Sequence, residues 1–180
     1  MDDEPETIDI VVLDPESKNE LKRFTVLRSY ASISTLIRTA FETDPSVKEI
    51  YVNDNSQMNF TPENIDCIVQ WMNIRKGEHW NYEKLPKPLP YEIELKEYMG
   101  HEQYEYLENN MKHKNLKFLL ELINCANYYD IQDLLHLGSM ATARIISKAP
   151  KREEKVINEM FAANGPIDFK PLPPVESKTQ

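Results

Sequence analysis

Apolar and polar residues alternate near the start of the chain, which is the pattern of half-buried β-strands. Residues 8–13 are rich in Ile and Val, residues 14–17 have the composition of a turn, and residues 19–26 return as a second strand. Residues 48–53 indicate a third strand. The first part of the sequence therefore predicts a hairpin and one further strand.

Between and after these strands, apolar positions recur every three or four residues, as on one face of a helix. The first predicted helix has Ser32 as its cap. The second has Thr61 as its cap and Pro62 at its first position, where a missing N–H loses no hydrogen bond, and it stops at Gly77. Two more helices lie on either side of the polar residues 127–130. The apolar stripes are Ile33, Leu36, Ile37, Ala40 and Phe41; Ile65, Ile68, Val69 and Met72; Leu116, Leu119, Leu120, Ile123 and Ala126; and Ile131, Leu134, Leu135, Gly138, Thr142, Ile145 and Ile146.

Other stretches lack this periodicity. Residues 77–112 are rich in Pro, Tyr and Glu, so we expect an exposed, partly extended insertion with at most a short helix. The sequence thus divides into an acidic disordered N-terminus (1–7), the strands with two helices (8–76), the insertion (77–112), two helices (113–147), a helical extension (148–163) and a Pro-rich tail (164–180).

The formal net charge of −9 argues against binding to nucleic acid or to an anionic membrane surface. No window approaches the 18 apolar residues of a membrane span, and we expect a soluble intracellular protein.

Cys67 and Cys125 lack metal-ligand spacing, which favours two buried thiols. Four scattered His residues and four Gly residues form no catalytic or phosphate-binding motif. We therefore expect no enzymatic activity, cofactor or metal.

One stretch resembles a segment of a known family. Residues 119–150, "LLELINCANYYDIQDLLHLGSMATARIISKAP", closely resemble a segment of the Skp-family adaptors of Skp–cullin–F-box ubiquitin ligases, including its AN-Y-x-DI-x-x-LL core. Residues 32–42, "SISTLIRTAFE", and 65–78, "IDCIVQWMNIRKGE", resemble two further helices of that family in the same order. The resemblance implies an α+β BTB/POZ fold, a three-stranded sheet flanked by helices with a C-terminal helical extension, related to elongin C.

The resemblance also implies two binding surfaces and a location in cytoplasm and nucleus. Asn127 and Tyr128 match residues that face the cullin N-terminal domain in the family. The positions that match apolar residues near the bound F-box are Leu119, Leu120, Ile123, Leu135 and Ile146. Other readings stay open: Asn127 as a helix C-cap, Tyr128 as a half-buried ring, and the apolar positions as core.

The chain departs from the family beyond residue 163. Family members have a final acidic helix with a Trp-Cys pair that folds over the F-box, whereas here Pro-rich residues follow. His136 and Gly138 also replace residues that are polar and β-branched in the family. The leading hypothesis is a noncatalytic adaptor between a cullin and F-box proteins. The alternative is a BTB/POZ protein that forms a homodimer or a larger structural or chromosome-associated assembly without a ligase role.

Overall fold

Three strands and six helices form an α+β fold in the computed structural model, which describes residues 6–54, 59–84, 97, 99–111 and 116–147. The strands are β1 (Thr7–Leu13), β2 (Glu20–Leu27) and β3 (Glu49–Val52). The helices are α1 (Arg28–Ala31), α2 (Thr35–Thr43), α3 (Pro62–Arg75), α4 (His101–Asn110), α5 (Leu116–Tyr128) and α6 (Gln132–Ser147), with a 3-10 turn at Tyr82–Lys84.

The sheet has the strand order β2-β1-β3. Strands β1 and β2 form the predicted antiparallel hairpin, and β3 returns parallel to β1 after the crossover through α1 and α2. Strand β1 begins at Thr7, which pairs with Leu27, so the expectation that residue 7 lies outside the folded part is wrong. Residues 1–5 lie outside the described residues.

One face of β1 carries Ile8, Ile10 and Val12 into the main core, as the period of two along a strand requires. Helix α3 packs against β2 and α5. Its predicted start is confirmed, because Pro62 is its first residue and the Thr61 hydroxyl accepts a hydrogen bond from the backbone of Asn64 at 3.2 Å. The core thus lies between the sheet and the later helices.

Helix α2 begins two residues later than predicted. Ser34, not Ser32, is its cap: the Ser34 hydroxyl accepts a hydrogen bond from the backbone N–H of Ile37 at 3.2 Å. The same hydroxyl donates to the carbonyl of Tyr129 at 2.6 Å, so it ties the start of α2 to the end of α5. Ser32 and Ser34 are both possible caps by local sequence. The hydrogen bond from Ser34 to Tyr129, a residue distant in sequence, favours Ser34.

Helix α4 corrects the expectation of an exposed insertion over residues 77–112. Tyr106, Leu107 and Met111 are buried, and the Tyr106 hydroxyl donates to the carbonyl of Cys67 at 2.9 Å. The buried positions 103, 106, 107 and 111 follow helical spacing, which the exposed Glu residues between them mask in the composition. Residues 85–96, 98 and 112–115 lie outside the described residues, as do the predicted extension and tail (148–180).

Cys67 and Cys125 are buried and form no disulfide with each other, as predicted. Burial is the main cause that raises the pKa of the Cys125 thiol, so this thiol stays protonated at neutral pH.

Within the described part of the chain, no helix is long and apolar enough to cross a membrane. Among the same residues, no cluster of three or more His, Cys, Asp or Glu side chains is arranged to hold a metal ion.

Candidate protein-interaction site

The polar residues between α5 and α6 form a Schellman motif, which ends a helix with one residue in the left-handed conformation. Asp130 has φ of 50°. The Ile131 N–H donates to the Ala126 carbonyl at 2.9 Å, and the Asp130 N–H donates to the Asn127 carbonyl at 3.0 Å. Residues 127–131, called here the α5–α6 turn, therefore reverse the chain at Asp130. The reading of Asn127 as the left-handed cap is wrong.

The α5–α6 turn is fixed to the rest of the domain by its last residues. Tyr129 is buried, and burial raises the pKa of its hydroxyl well above the ordinary value. The Gln132 amide donates to the Asp130 carboxylate at 2.5 Å. This hydrogen bond, followed by one from Thr35, lowers the pKa of Asp130, which stays charged at neutral pH. The buried Tyr129 ring and these hydrogen bonds thus support the turn.

Asn127 and Tyr128 lie on the outer side of this support, and both are exposed. Tyr128 keeps 37% of its surface accessible. Its ring centroid lies 5.6 Å from that of Phe60 and 5.5 Å from that of Tyr129. Contacts with two other rings hold the Tyr128 ring in place, while one side of it remains available to a partner.

Tyr128 borders a groove of about 630 Å³ against helix α2, called here the α2 groove. Its apolar lining consists of Leu36, Ala40, Val47 and Tyr128. Asp44 and Asp130 also line it, together with threonines of α2. The α2 groove joins an exposed aromatic ring to an apolar surface, a combination typical of protein-binding sites.

Leu36 is a groove residue that the sequence analysis placed on the apolar face of the first predicted helix. It is 39% exposed, whereas Ile33 and Ile37 are fully buried. The apolar stripe that contains Leu36 has the ordinary spacing of one buried helix face, so the spacing alone does not show that Leu36 is exposed. Leu36 joins the candidate site only because the fold places Tyr128 beside it.

The five positions matched to F-box contacts divide into two groups. Leu119 is fully buried in the core, so it has no surface to offer a partner and is corrected to a core residue. The other four, Leu120, Ile123, Leu135 and Ile146, are half-buried. Helices α5 and α6 approach closely at Gly138, where a Cβ atom would lie 2.9 Å from Cγ1 of Ile123.

A second polar cluster surrounds Asp133, which lies three residues after Asp130 and is fully buried. The carboxylate of Asp133 accepts hydrogen bonds from the Trp80 backbone N–H at 2.8 Å and from the Trp71 indole N–H at 3.3 Å. Arg75 Nε lies 3.9 Å from Asp133 Oδ2. These four residues, called here the buried junction, connect α3, the segment before the 3-10 turn, and α6. Sequence reasoning missed Asp133 and Trp80.

The comparisons with known proteins add no family. No protein-family model matches this chain, and a search of curated proteins found none with significant similarity. The candidate site therefore depends on the geometry described above and on the resemblance of residues 32–42, 65–78 and 119–150.

Proposed function

We propose that the chain is a noncatalytic adaptor of the Skp type, with a BTB/POZ fold, that joins a cullin N-terminal domain to F-box substrate receptors. The observation that carries the proposal is the exposure of Tyr128 and Leu36 on the α2 groove. A tyrosine anchor provides a large contact area with few torsions to restrict, and such residues often dominate binding energies. Tyr128 and Asn127 are the cullin contacts in this proposal.

The second surface of the adaptor lies on α5 and α6. Half-buried Leu120, Ile123, Leu135 and Ile146 support a contact with an F-box, because their exposed parts are apolar and their buried parts fix their positions. Gly138 lets the two helices approach each other at Ile123. Leu119 supports this surface from the core.

The contribution of such an adaptor to ubiquitin transfer is proximity. Holding a substrate receptor and a cullin scaffold on one small domain converts an encounter between separate molecules into a tethered one. The proposal therefore assigns binding roles alone, with no proton transfer or nucleophile.

The test is a titration of the full chain with a cullin N-terminal domain. The double variant Asn127→Ala/Tyr128→Ala is compared with the wild type and with Tyr51→Ala, a variant of another exposed tyrosine, on β3. We expect the double variant to bind at least about 30-fold more weakly, since a central aromatic anchor contributes about 2 kcal/mol or more. Tyr51→Ala keeps wild-type affinity, and circular dichroism shows that both variants are folded.

Two results contradict the proposal. Unchanged cullin binding by the double variant refutes the assigned contacts. A chain that binds neither a cullin domain nor an F-box domain and forms a homodimer in light scattering supports the structural alternative.

A further inference from the structure

The two edges of the three-stranded sheet differ in their protection against pairing with another strand. Strand β2, at one edge, has a register shift against β1 and carries Glu20, Lys22 and Arg23. Bulges and charged side chains are the usual means by which proteins block such an edge. Strand β3, at the other edge, pairs with β1 without a register shift, and Glu49 is its one charged residue. The β3 edge is therefore the less protected of the two.

The backbone of β3 has hydrogen-bonding groups on its outer edge. The Asp9 N–H donates to the Lys48 carbonyl at 2.9 Å, and Asp9 is in register with Glu49. Residues of a parallel pair face their partner strand alternately, so Ile50 also bonds to β1, while Glu49 and Tyr51 direct their N–H and C=O groups away from it. Among the described residues, no strand pairs with this side of β3. Within that part of the chain, these backbone groups can accept an added strand.

The side chains of β3 complement those of a second copy of the same strand. In an antiparallel pair centred on Ile50, the outward-facing Glu49 and Tyr51 of one copy lie opposite Tyr51 and Glu49 of the other. Half-buried Ile50 lies beside its own counterpart and Lys48 lies opposite Val52, so no like charges are directly opposed. Tyr51 is 50% exposed, and its hydroxyl donates to the Glu49 carboxylate, which fixes the ring before binding. This fit favours a second copy as the added strand.

We propose that the β3 strands of two chains pair antiparallel and join the two sheets into one continuous sheet with twofold symmetry. Strand β3 has 4 residues, so the interface is small, and we expect a dissociation constant on the order of 0.1–1 mM. The formal net charge of −9 on each copy opposes association, which is therefore stronger at high ionic strength. The pairing does not rest on the proposed function, and a chain at micromolar concentration in a cullin titration stays a monomer.

The pairing is tested by amide hydrogen exchange, measured by NMR on the full chain without any partner. The chain concentration is raised from about 0.05 to about 2 mM. We expect the N–H groups of Glu49 and Tyr51 to exchange about threefold more slowly at the higher concentration, in proportion to the fraction of monomer. The N–H groups of Ile50 and Val52, which face β1, keep the same exchange rate. This alternation distinguishes edge pairing from any other contact between two chains.

Two variants of Tyr51 remove the pairing. Tyr51→Pro lacks an outward N–H, and Tyr51→Asp places a carboxylate opposite Glu49 of the second copy, so in both the exchange of Glu49 no longer depends on concentration. The matched control is Thr25→Pro on β2. The Arg28 N–H donates to the Glu6 carbonyl at 2.9 Å, so by alternation Thr25 also faces away from β1. Thr25→Pro keeps the concentration dependence at Glu49, and circular dichroism shows that each variant is folded.

Three results overturn the pairing. The first is exchange of Glu49 and Tyr51 that is the same at all concentrations, as expected for an open edge or for one covered by the same chain. The second is a concentration dependence that persists in Tyr51→Pro and Tyr51→Asp. The third is an equal loss in Thr25→Pro, which would assign the contact to β2.

Discussion

Two aspartates three positions apart, Asp130 and Asp133, have opposite environments. Asp130 belongs to the α5–α6 turn, lies at the surface and borders the α2 groove. Asp133 is fully buried and accepts hydrogen bonds from Trp71 and Trp80. The same residue type therefore has two roles: Asp130 borders the candidate binding surface, and Asp133 connects the elements behind it.

The difference follows from helix geometry. Asp130 precedes α6, has a left-handed backbone and is partly exposed. Asp133 lies in the first turn of α6, where a carboxylate is favoured by the helix dipole and by free N–H groups. Its side chain meets the backbone of Trp80 because α6 packs against residues near the 3-10 turn. The local sequence alone does not show which of the two aspartates is buried.

The largest expected effect comes from replacing the carboxylate of Asp133, in the buried junction, by an amide. Asp133→Asn leaves the buried N–H donors of Trp71 and Trp80 facing an amide that can accept with only one end. We expect the free energy of unfolding to fall by about 2–3 kcal/mol, measured by urea denaturation. Asp130→Asn is the matched control, with a change within about 0.5 kcal/mol, because asparagine tolerates φ above zero. Equal losses would show that Asp133 is not the structural anchor.

The next effect tests the close approach of α5 and α6. Gly138→Val places a side chain against Ile123, and we expect a loss of about 2 kcal/mol in unfolding free energy from overpacking. Adding Ile123→Ala makes the total loss smaller than the sum of the single losses. Ser139→Val, on the exposed side of α6, stays within about 0.5 kcal/mol. Additive losses would mean that Gly138 is not required by this contact.

A smaller effect is expected at the left-handed residue of the turn. Asp130→Ala introduces a residue that disfavours φ of 50°, so stability falls by about 1 kcal/mol. Asp130→Gly restores or exceeds the wild-type stability, since glycine adopts this conformation without strain. Thermal unfolding of Asp130→Ala and Asp130→Gly measures both changes in stability. Equal melting temperatures for Ala and Gly would contradict the role of backbone conformation here.

The smallest effect is the pH dependence contributed by Asp130. Hydrogen bonds from Gln132 and Thr35 lower the pKa of Asp130 below 3.8 in the folded chain. A carboxyl with a lowered folded pKa stabilises the fold above its unfolded pKa and loses this contribution as the pH falls through the folded pKa. The stability difference between wild type and Asp130→Asn, measured between pH 7 and 3, should therefore shrink at the acidic end. A stability difference that stays constant between pH 7 and 3 would contradict the predicted link between the pKa of Asp130 and the stability of the fold.

Local patterns predicted much of the fold. The Thr61-Pro62 start of α3 and the β1–β2 hairpin depend on neighbouring residues, and both are confirmed. The polar interruption after α5 was also recognised, but Asn127 and Asp130 both tolerate the left-handed conformation, and only the complete turn shows which of them adopts it. A short helix within residues 77–112 was allowed for, but the bounds and the buried face of α4 were not predicted, because its exposed glutamates dominate the composition.

Features made by distant residues were not predictable in this way. The α2 groove combines Leu36 with Tyr128, and the buried junction combines Trp71 with Asp133. Neither pair has a sequence spacing that a helix or strand period connects. Tyr128 entered the candidate site through the family resemblance, whereas Leu36 entered it through the structure.

Leu36 therefore provides the most direct test of the central claim, that the α2 groove is the partner surface of an adaptor. The measurement is the affinity of the full chain for a cullin N-terminal domain after Leu36→Ser, compared with Leu21→Ser, which alters another exposed leucine, on β2. We predict a loss of about tenfold for Leu36→Ser and none for Leu21→Ser, with both variants folded. Equal affinities for the two variants would contradict the claim.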